Sequence, residues 1–204
     1  MLLLKVCGMR DSNNITALIK VQPNMIGFIF HTASPRNVTI LPDIEVPESI
    51  KKVGVFVDES KTFIQEKIKA FNLDMIQLHG YESPKFCEKI QSQSTSIIKA
   101  FNIHEGFDFE VLLEYEPFCD YFLFDAFGKN AGGNGVVFDW KLLEKYKGNT
   151  PFILSGGIDE SLIEIIKKIK HPKMVGVDIN SKFETAAAFK NIDKIKKFKN
   201  ELYC

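Results

Sequence analysis

Two residues stand where strand-like runs end and could exchange protons with a ligand. Cys7 closes the apolar run LLLKVC (2–7), with Gly8 beside it, and Asp125 lies near the end of YFLFDA (121–126). A thiol and a carboxyl facing each other across a pocket can move protons on either side of a small sugar. Neither is ready for that work unperturbed. A free thiol has a pKa near ~8.5, so only a few per cent is thiolate at neutral pH. A general acid must keep its proton, which asks for burial or negative charge near Asp125. A bound phosphate would supply some of that charge. Both residues also have plain structural readings: Cys7 as a small core hydrophobe, Asp125 as a loop cap.

Other chemistry-bearing residues gather at the ends of similar runs. Ser155-Gly156-Gly157 and Asp178-Ile179-Asn180-Ser181 follow two successive apolar stretches. Glycine lets a backbone come close to a ligand, and free N–H groups at such turns attract an anion. Two suitable loops side by side point to phosphate, while each alone reads as a plain turn. A third loop, AGGNG (131–135) after Gly128, would either cover a ligand or form a long turn before Phe138-Asp139-Trp140. Of 26 basic residues only Arg10 and Arg36 are arginine. Both fall in this set, where a planar fork of donors has a use that lysine cannot fill. His31, Gln77 and His79 lie at run ends too.

The elements that must position these residues alternate. Strand-like runs occupy 2–7, 25–30, 52–57, 74–79, 96–101, 121–126, 151–156 and 174–179, each short and nearly continuous in apolar character, as strands covered on both faces are. Helical stripes lie between them: Phe63, Ile64, Ile68 and Phe71; Phe86, Cys87 and Ile90 behind Ser83-Pro84; Leu162, Ile163, Ile166 and Ile169; and Ile192, Ile195, Phe198 and Leu202. Segments 32–47 and 106–116 lack a clear stripe. Eight strands alternating with helices predict a parallel sheet, most simply an α/β fold closed as one (β/α)8 TIM barrel spanning 1–204 with some shortened outer helices. An open doubly wound sheet is the alternative. In a barrel, all the run ends above meet at one mouth, with the first and sixth strands on opposite sides.

Composition excludes several other classes. Lys+Arg and Asp+Glu are 26 each, so no basic excess suggests nucleic acid or a membrane as partner. No run approaches ~20 apolar residues. Cys7, Cys87, Cys119 and Cys204 have neither CxxC pairing nor metal-ligand spacing to histidine, which argues against zinc and fits a reducing cytoplasm. Cys87 reads as core and Cys204 as a terminal bystander.

The chain resembles the phosphoribosylanthranilate isomerase family of tryptophan biosynthesis. The matching segments are KVCGMR (5–10), GFIF with SPR (27–36), VGVFV (53–57), QLHG (77–80), FDA with GKNAGGNGVVFDW (124–140), ILSGGI (153–158) and GVDINSKFE (176–184). They run through the whole chain in the family's order. The resemblance implies a cofactor-free, metal-free Amadori rearrangement of N-(5-phosphoribosyl)anthranilate to 1-(2-carboxyphenylamino)-1-deoxyribulose 5-phosphate, by a monomer or homodimer. It puts the general base on Cys7, the general acid on Asp125, and the anthranilate contact on Arg36. Phosphate and substrate contacts fall on Gly156, Gly157, Asp178, Asn180 and Ser181. Two departures stand out. INSK replaces a loop that is usually SSG, so Lys182 either adds charge toward the phosphate or points to solvent, and Asn134 replaces a threonine. Other phosphosugar barrels, such as an epimerase or an indole-glycerol-phosphate synthase, share the pattern, but the synthase needs a lysine pair at strand ends. A barrel that only binds phosphate ligands would have no use for Cys7, Arg36 and Asp125 together.

Overall fold

In the computed structural model, which describes residues 1–40, 42–92, 94–125 and 140–204, all eight apolar runs are strands. They are β1 (Leu3–Val6), β2 (Met25–Ile29), β3 (Lys51–Phe56), β4 (Met75–Leu78), β5 (Ser96–Asn102), β6 (Tyr121–Asp125), β7 (Phe152–Ser155) and β8 (Met174–Ile179). Each pairs in parallel with the next, and β8 pairs with β1, so the sheet closes as a barrel and the doubly wound alternative falls away. At the closing seam Leu3, Leu4, Lys5 and Val6 lie opposite Gly176, Val177, Asp178 and Ile179.

Alternation along each strand separates two cores. Outward residues, including Phe28, Phe56, Phe122, Phe124 and Phe152, are buried under the outer layer. Phe124 and Phe152 stack with centroids 4.5 Å apart, and Tyr146 meets both edge-on. Inward residues Met25, Val53, Met75, Ile98, Leu123 and Ile153 fill the lower barrel as a second apolar cluster. Above them the interior turns polar, with Lys5, Gln77 and Asp178 all buried. An apolar floor under a polar upper layer leaves the mouth as the place where a ligand can be met.

The outer layer is uneven. Helices α1 (Ser12–Ile19), α2 (Lys61–Phe71), α3 (Pro84–Ile90), α4 (Ile163–Lys168) and α5 (Ile192–Tyr203) cover part of it. Ser60, Ser83 and Asn191 cap α2, α3 and α5 by accepting from Phe63, Phe86 and Lys194 N–H groups. The described part of 32–47 has no helix, and Phe109–Glu114 and Trp140–Lys145 are 3-10 turns. The stripe 159–170 is shorter than its periodicity predicts: Glu160–Leu162 is a 3-10 turn, and only then does α4 begin. Two features had no sequence signal strong enough to predict them. One is α1, two turns of the poor helix-forming SNNITALI started by Asp11. The other is a hairpin after β8 formed by β9 (Glu184–Ala186) and β10 (Phe189–Lys190). No helix among the described residues is long and apolar enough to cross a membrane.

The two cores predict different sensitivities. Phe152→Ala empties a fully buried ring site and should cost about 3–5 kcal/mol, whereas its inward neighbour Ile153→Val should cost about 0.5–1.5 kcal/mol. Urea unfolding of both variants checks this; equal losses would contradict the aromatic packing described for β6 and β7.

Candidate active site

The segment leaving β1 is strapped on both sides. Cys7 N–H donates to Ile179 O at 2.9 Å, and Met9 N–H donates to Gly27 O at 3.0 Å. Between them Gly8 has φ +75°, and a Cβ there would lie 2.7 Å from both Arg36 Cδ and Asn180 Oδ1. Only glycine satisfies that backbone and that crowding together. Across the strand pair, a Cβ on Gly27 would lie 2.8 Å from Cys7 Sγ, so the bare backbone of β2 makes the seat for the thiol. Cys7 is 4% exposed. Burial pushes its thiol above the ordinary value, against the pull of the Lys5 charge.

Cys7 and Asp125 open onto one cavity of about 470 Å³ at the C-terminal end of the barrel, together with His79, Gly157, Asn180 and Lys182. That size suits a small organic ligand. Asp125, at the end of β6, has His79 Nε2 at 3.6 Å from Oδ2, and His79 Nδ1 lies 2.7 Å from Gln77 Nε2. With the Gln77 amide so assigned, Nδ1 accepts and Nε2 carries the proton that faces Asp125. The next loop is fixed from below: Glu82 accepts from the Asp58 and Gly80 N–H groups and pairs with buried Lys99 at 3.1 Å.

Ser155, Gly156, Gly157, Asn180 and Ser181 line the same cavity. Gly156 and Gly157 have φ +99° and +64°, a successive left-handed pair that turns backbone rather than side chain toward the space above β7. Asp178 also lines it, deeper, at 3.0 Å from the fully buried Lys5 ammonium. Gly128 and the run Gly132-Gly133-Asn134-Gly135 lie outside the described residues.

Arg36 does not line this cavity. Its Nε and Nη2 donate to Glu184 Oε1 and Oε2 at 2.9 and 2.6 Å, a bidentate pair that only a guanidinium can make. The fork has found a carboxylate, and it belongs to the chain. Lys190, itself buried, donates from Nζ to Glu184 Oε1 and Asn180 Oδ1, both at 2.6 Å. The hairpin thus joins Arg36 to the Asn180 loop. Burial would push the Glu184 carboxyl up, but hydrogen bonds from Arg36 and Lys190 outweigh it and hold the group below the usual carboxylate range. Arg10 uses its fork structurally: Nη1 donates to Pro35 O at 3.2 Å and so ties the first loop to the second.

Lys5, Glu184 and Lys190 were not among the site residues that the sequence suggested. A lysine inside a strand buried on both faces was a visible anomaly. Glu184 and Lys190 belong to a hairpin with no local pattern to announce it.

Over nearly its whole length the chain is similar to one family of known proteins. The family model described as N-(5'phosphoribosyl)anthranilate (PRA) isomerase matches residues 4–201. The N-(5'-phosphoribosyl)anthranilate isomerase of Parabacteroides distasonis is 45% identical, over 97% of this chain and 91% of its own. Among solved structures, phosphoribosyl anthranilate isomerase from Thermotoga maritima superposes with a TM-score of 0.86 at 28% identity, covering 100% of this chain and 99% of its own. A phosphoribosyl anthranilate isomerase solved in complex with reduced 1-(o-carboxyphenylamino)-1-deoxyribulose 5-phosphate has a TM-score of 0.83 at 27% identity, covering 100% and 99%.

The Glu184 hub has a measurable signature. Glu184→Gln should destabilise by about 1–3 kcal/mol, the order of charge-assisted hydrogen bonds. Because the carboxyl is held low, its contribution is complete above the ordinary glutamate value of ~4.3 and is lost as pH falls through the lower folded value. The difference between wild type and variant in urea unfolding should therefore stay constant from about pH 7 to about pH 5 and shrink only below ~4.3. A difference that changes across the upper range would contradict the network.

Proposed function

The chain belongs to the N-(5'-phosphoribosyl)anthranilate isomerase family of tryptophan biosynthesis, and from that premise we propose that it isomerises this substrate with Cys7 as general base and Asp125 as general acid. The observation that carries the assignment is the opening of Cys7 and Asp125, from β1 and β6, onto one cavity. The Asp125 carboxyl gives its proton to the furanose ring oxygen. The ring C–O bond breaks as the anthranilate nitrogen lone pair forms a C=N bond. His79 Nε2–H faces the carboxylate that this leaves, and the proton that Cys7 gains in the next step keeps the enzyme's proton count unchanged. The Cys7 thiolate then takes the proton from the neighbouring carbon, the electrons flow into the C=N bond, and the resulting enolamine becomes the ketone.

Binding groups surround this axis. The backbone at Gly156 and Gly157, with Asn180 and Ser181, receives the phosphate, and Lys182 adds a charge at the same rim. Asp178 lines the cavity, and its Oδ1, which has no hydrogen-bond partner among the described residues, is free to accept from a substrate hydroxyl. Arg36, held by Glu184 outside the cavity lining but joined to the lining residue Ser34, meets the anthranilate carboxylate and ring from the rim through Nη1 and its flat face. No step calls for a metal or organic cofactor.

The productive form holds a thiolate and a protonated carboxyl together, the reverse of their ordinary order, so it is a minor form. Such a pair gives kcat/KM that is level through neutral pH. It falls on the alkaline side as the thiol titrates, because the thiolate is then saturated while the protonated carboxyl is still being lost. Burial raises Cys7, so this fall should be centred above ~8.5. The decisive assay follows the fluorescence decay of substrate made in situ, with chelator present. Cys7→Ser and Asp125→Asn should each lower kcat at least ~10²-fold, with folding and product-analogue binding retained. Near wild-type turnover in folded Cys7→Ser would return Cys7 to a packing role. Arg36→Lys should weaken kcat/KM by about 1–3 kcal/mol through loss of a charge-assisted contact, and an unchanged kcat/KM would remove Arg36 from the anthranilate contact.

A further inference from the structure

Lys5 is the least expected group in the barrel. It is 0% exposed, inside a strand, with Asp178 directly opposite in register. Its Nζ lies 3.0 Å from Asp178 Oδ2, yet neither this ammonium nor Asp178 Oδ1 has a well-aligned hydrogen bond among the described residues. Burying such a pair is costly, and well-packed apolar residues would serve stability as well or better. The pair also sits directly below the thiol, since Lys5 and Cys7 are two residues apart on the same face of β1.

We propose that Lys5 is a positioning residue whose ammonium, anchored by Asp178 across the β1–β8 seam, holds the negative charge of the Cys7 thiolate. This rests on Cys7 being the base only for its place in catalysis; the effect on the thiol stands apart from it. The surroundings of Cys7 leave few other sources of charge. Lys5 comes from β1, Asp178 from β8, Lys190 from β10 and Arg36 from the loop after β2. Asp125 and His79 share the cavity from β6 and β4. His31, after β2, and Lys182, after β8, line the same cavity, and Gly27 of β2 faces the thiol with bare backbone. Lys5 is the strongest of the charges drawing the thiol down, and Asp178 opposes it. Asp178 therefore tempers how far Lys5 acts on the thiol, and when Asp178 is neutralised the Cys7 thiolate remains as an anionic neighbour that favours the Lys5 charge.

Opposed signs at the two ends of one ion pair give the test. The pH dependence of Cys7 alkylation by iodoacetamide is followed by peptide mass spectrometry in the wild type, Lys5→Gln and Asp178→Asn, with folding checked by near-ultraviolet circular dichroism. A nearby charge moves a pKa by about 1–3 units, so Lys5→Gln should raise the alkylation midpoint and slow reaction at neutral pH about tenfold or more. Asp178→Asn should lower the midpoint, and Lys5→Arg should keep it near the wild-type value. A merely structural Lys5 predicts no shift, or shifts of one sign in both variants, and either result overturns the proposal. If Lys5→Gln does not fold, the direction of the Asp178→Asn shift decides alone. The alkaline fall of kcat/KM should follow the alkylation midpoint in every folded variant. If the midpoint moves and that fall does not, Lys5 keeps its role on the thiol and Cys7 loses its role as base.

Discussion

Closure of β1 onto β8 is the constraint from which the site follows. It brings residues 5 and 178, far apart in the chain, into register, and a buried lysine meets a buried aspartate inside the sheet. The same seam fixes Cys7, whose N–H continues the ladder to Ile179 O before the chain turns through Gly8. Without closure, Lys5 would face solvent or bury its charge alone, and the thiol would have no defined direction. A sheet that ends on itself also lacks edges, so these polar groups need no further protection from strand addition.

A second layer of order lies above the seam. The hairpin after β8 brings Glu184 to the loop after β2, where it grips Arg36 and is itself gripped by Lys190. Asn180 is held by the same lysine. The groups assigned to the two ends of the substrate are thus linked through side chains rather than set on independent loops. Ordering long side chains before the ligand arrives lowers the entropy lost on binding. That suits the proton transfers proposed for two groups on opposite sides of the cavity.

Much of this was legible in sequence because parallel strands and amphipathic helices write strong local patterns. All eight strand runs lie within one residue of the observed strands at each end. Ser83 began its helix where its type suggested. Cys7, Asp125, Gly156, Gly157, Asp178, Asn180 and Ser181 do share one cavity, since a closed parallel barrel sends every strand end to the same face. What escaped was tertiary by nature. Nothing near Glu184 shows that its partner is Arg36, nearly 150 residues away, or near Lys190 that its ammonium reaches Asn180. Lys5 looked like an interruption of an apolar run because its counter-charge lies on the last strand. The short 160–168 segment shows the opposite failure: the apolar stripe persists, but a 3-10 turn consumes its start.

Gly27 carries an evolutionary consequence. The volume that the missing side chain leaves on β2 is the volume that the Cys7 sulfur occupies. Residues 7 and 27 therefore draw on one shared allotment of space, although they lie on different strands. A lineage that enlarged residue 27 would have to shrink or redirect residue 7 in the same step, and one that replaced the thiol with a bulkier group would find its way blocked by backbone. Enlargement at either position alone is closed off, so a larger residue 27 should appear only beside a smaller or redirected residue 7.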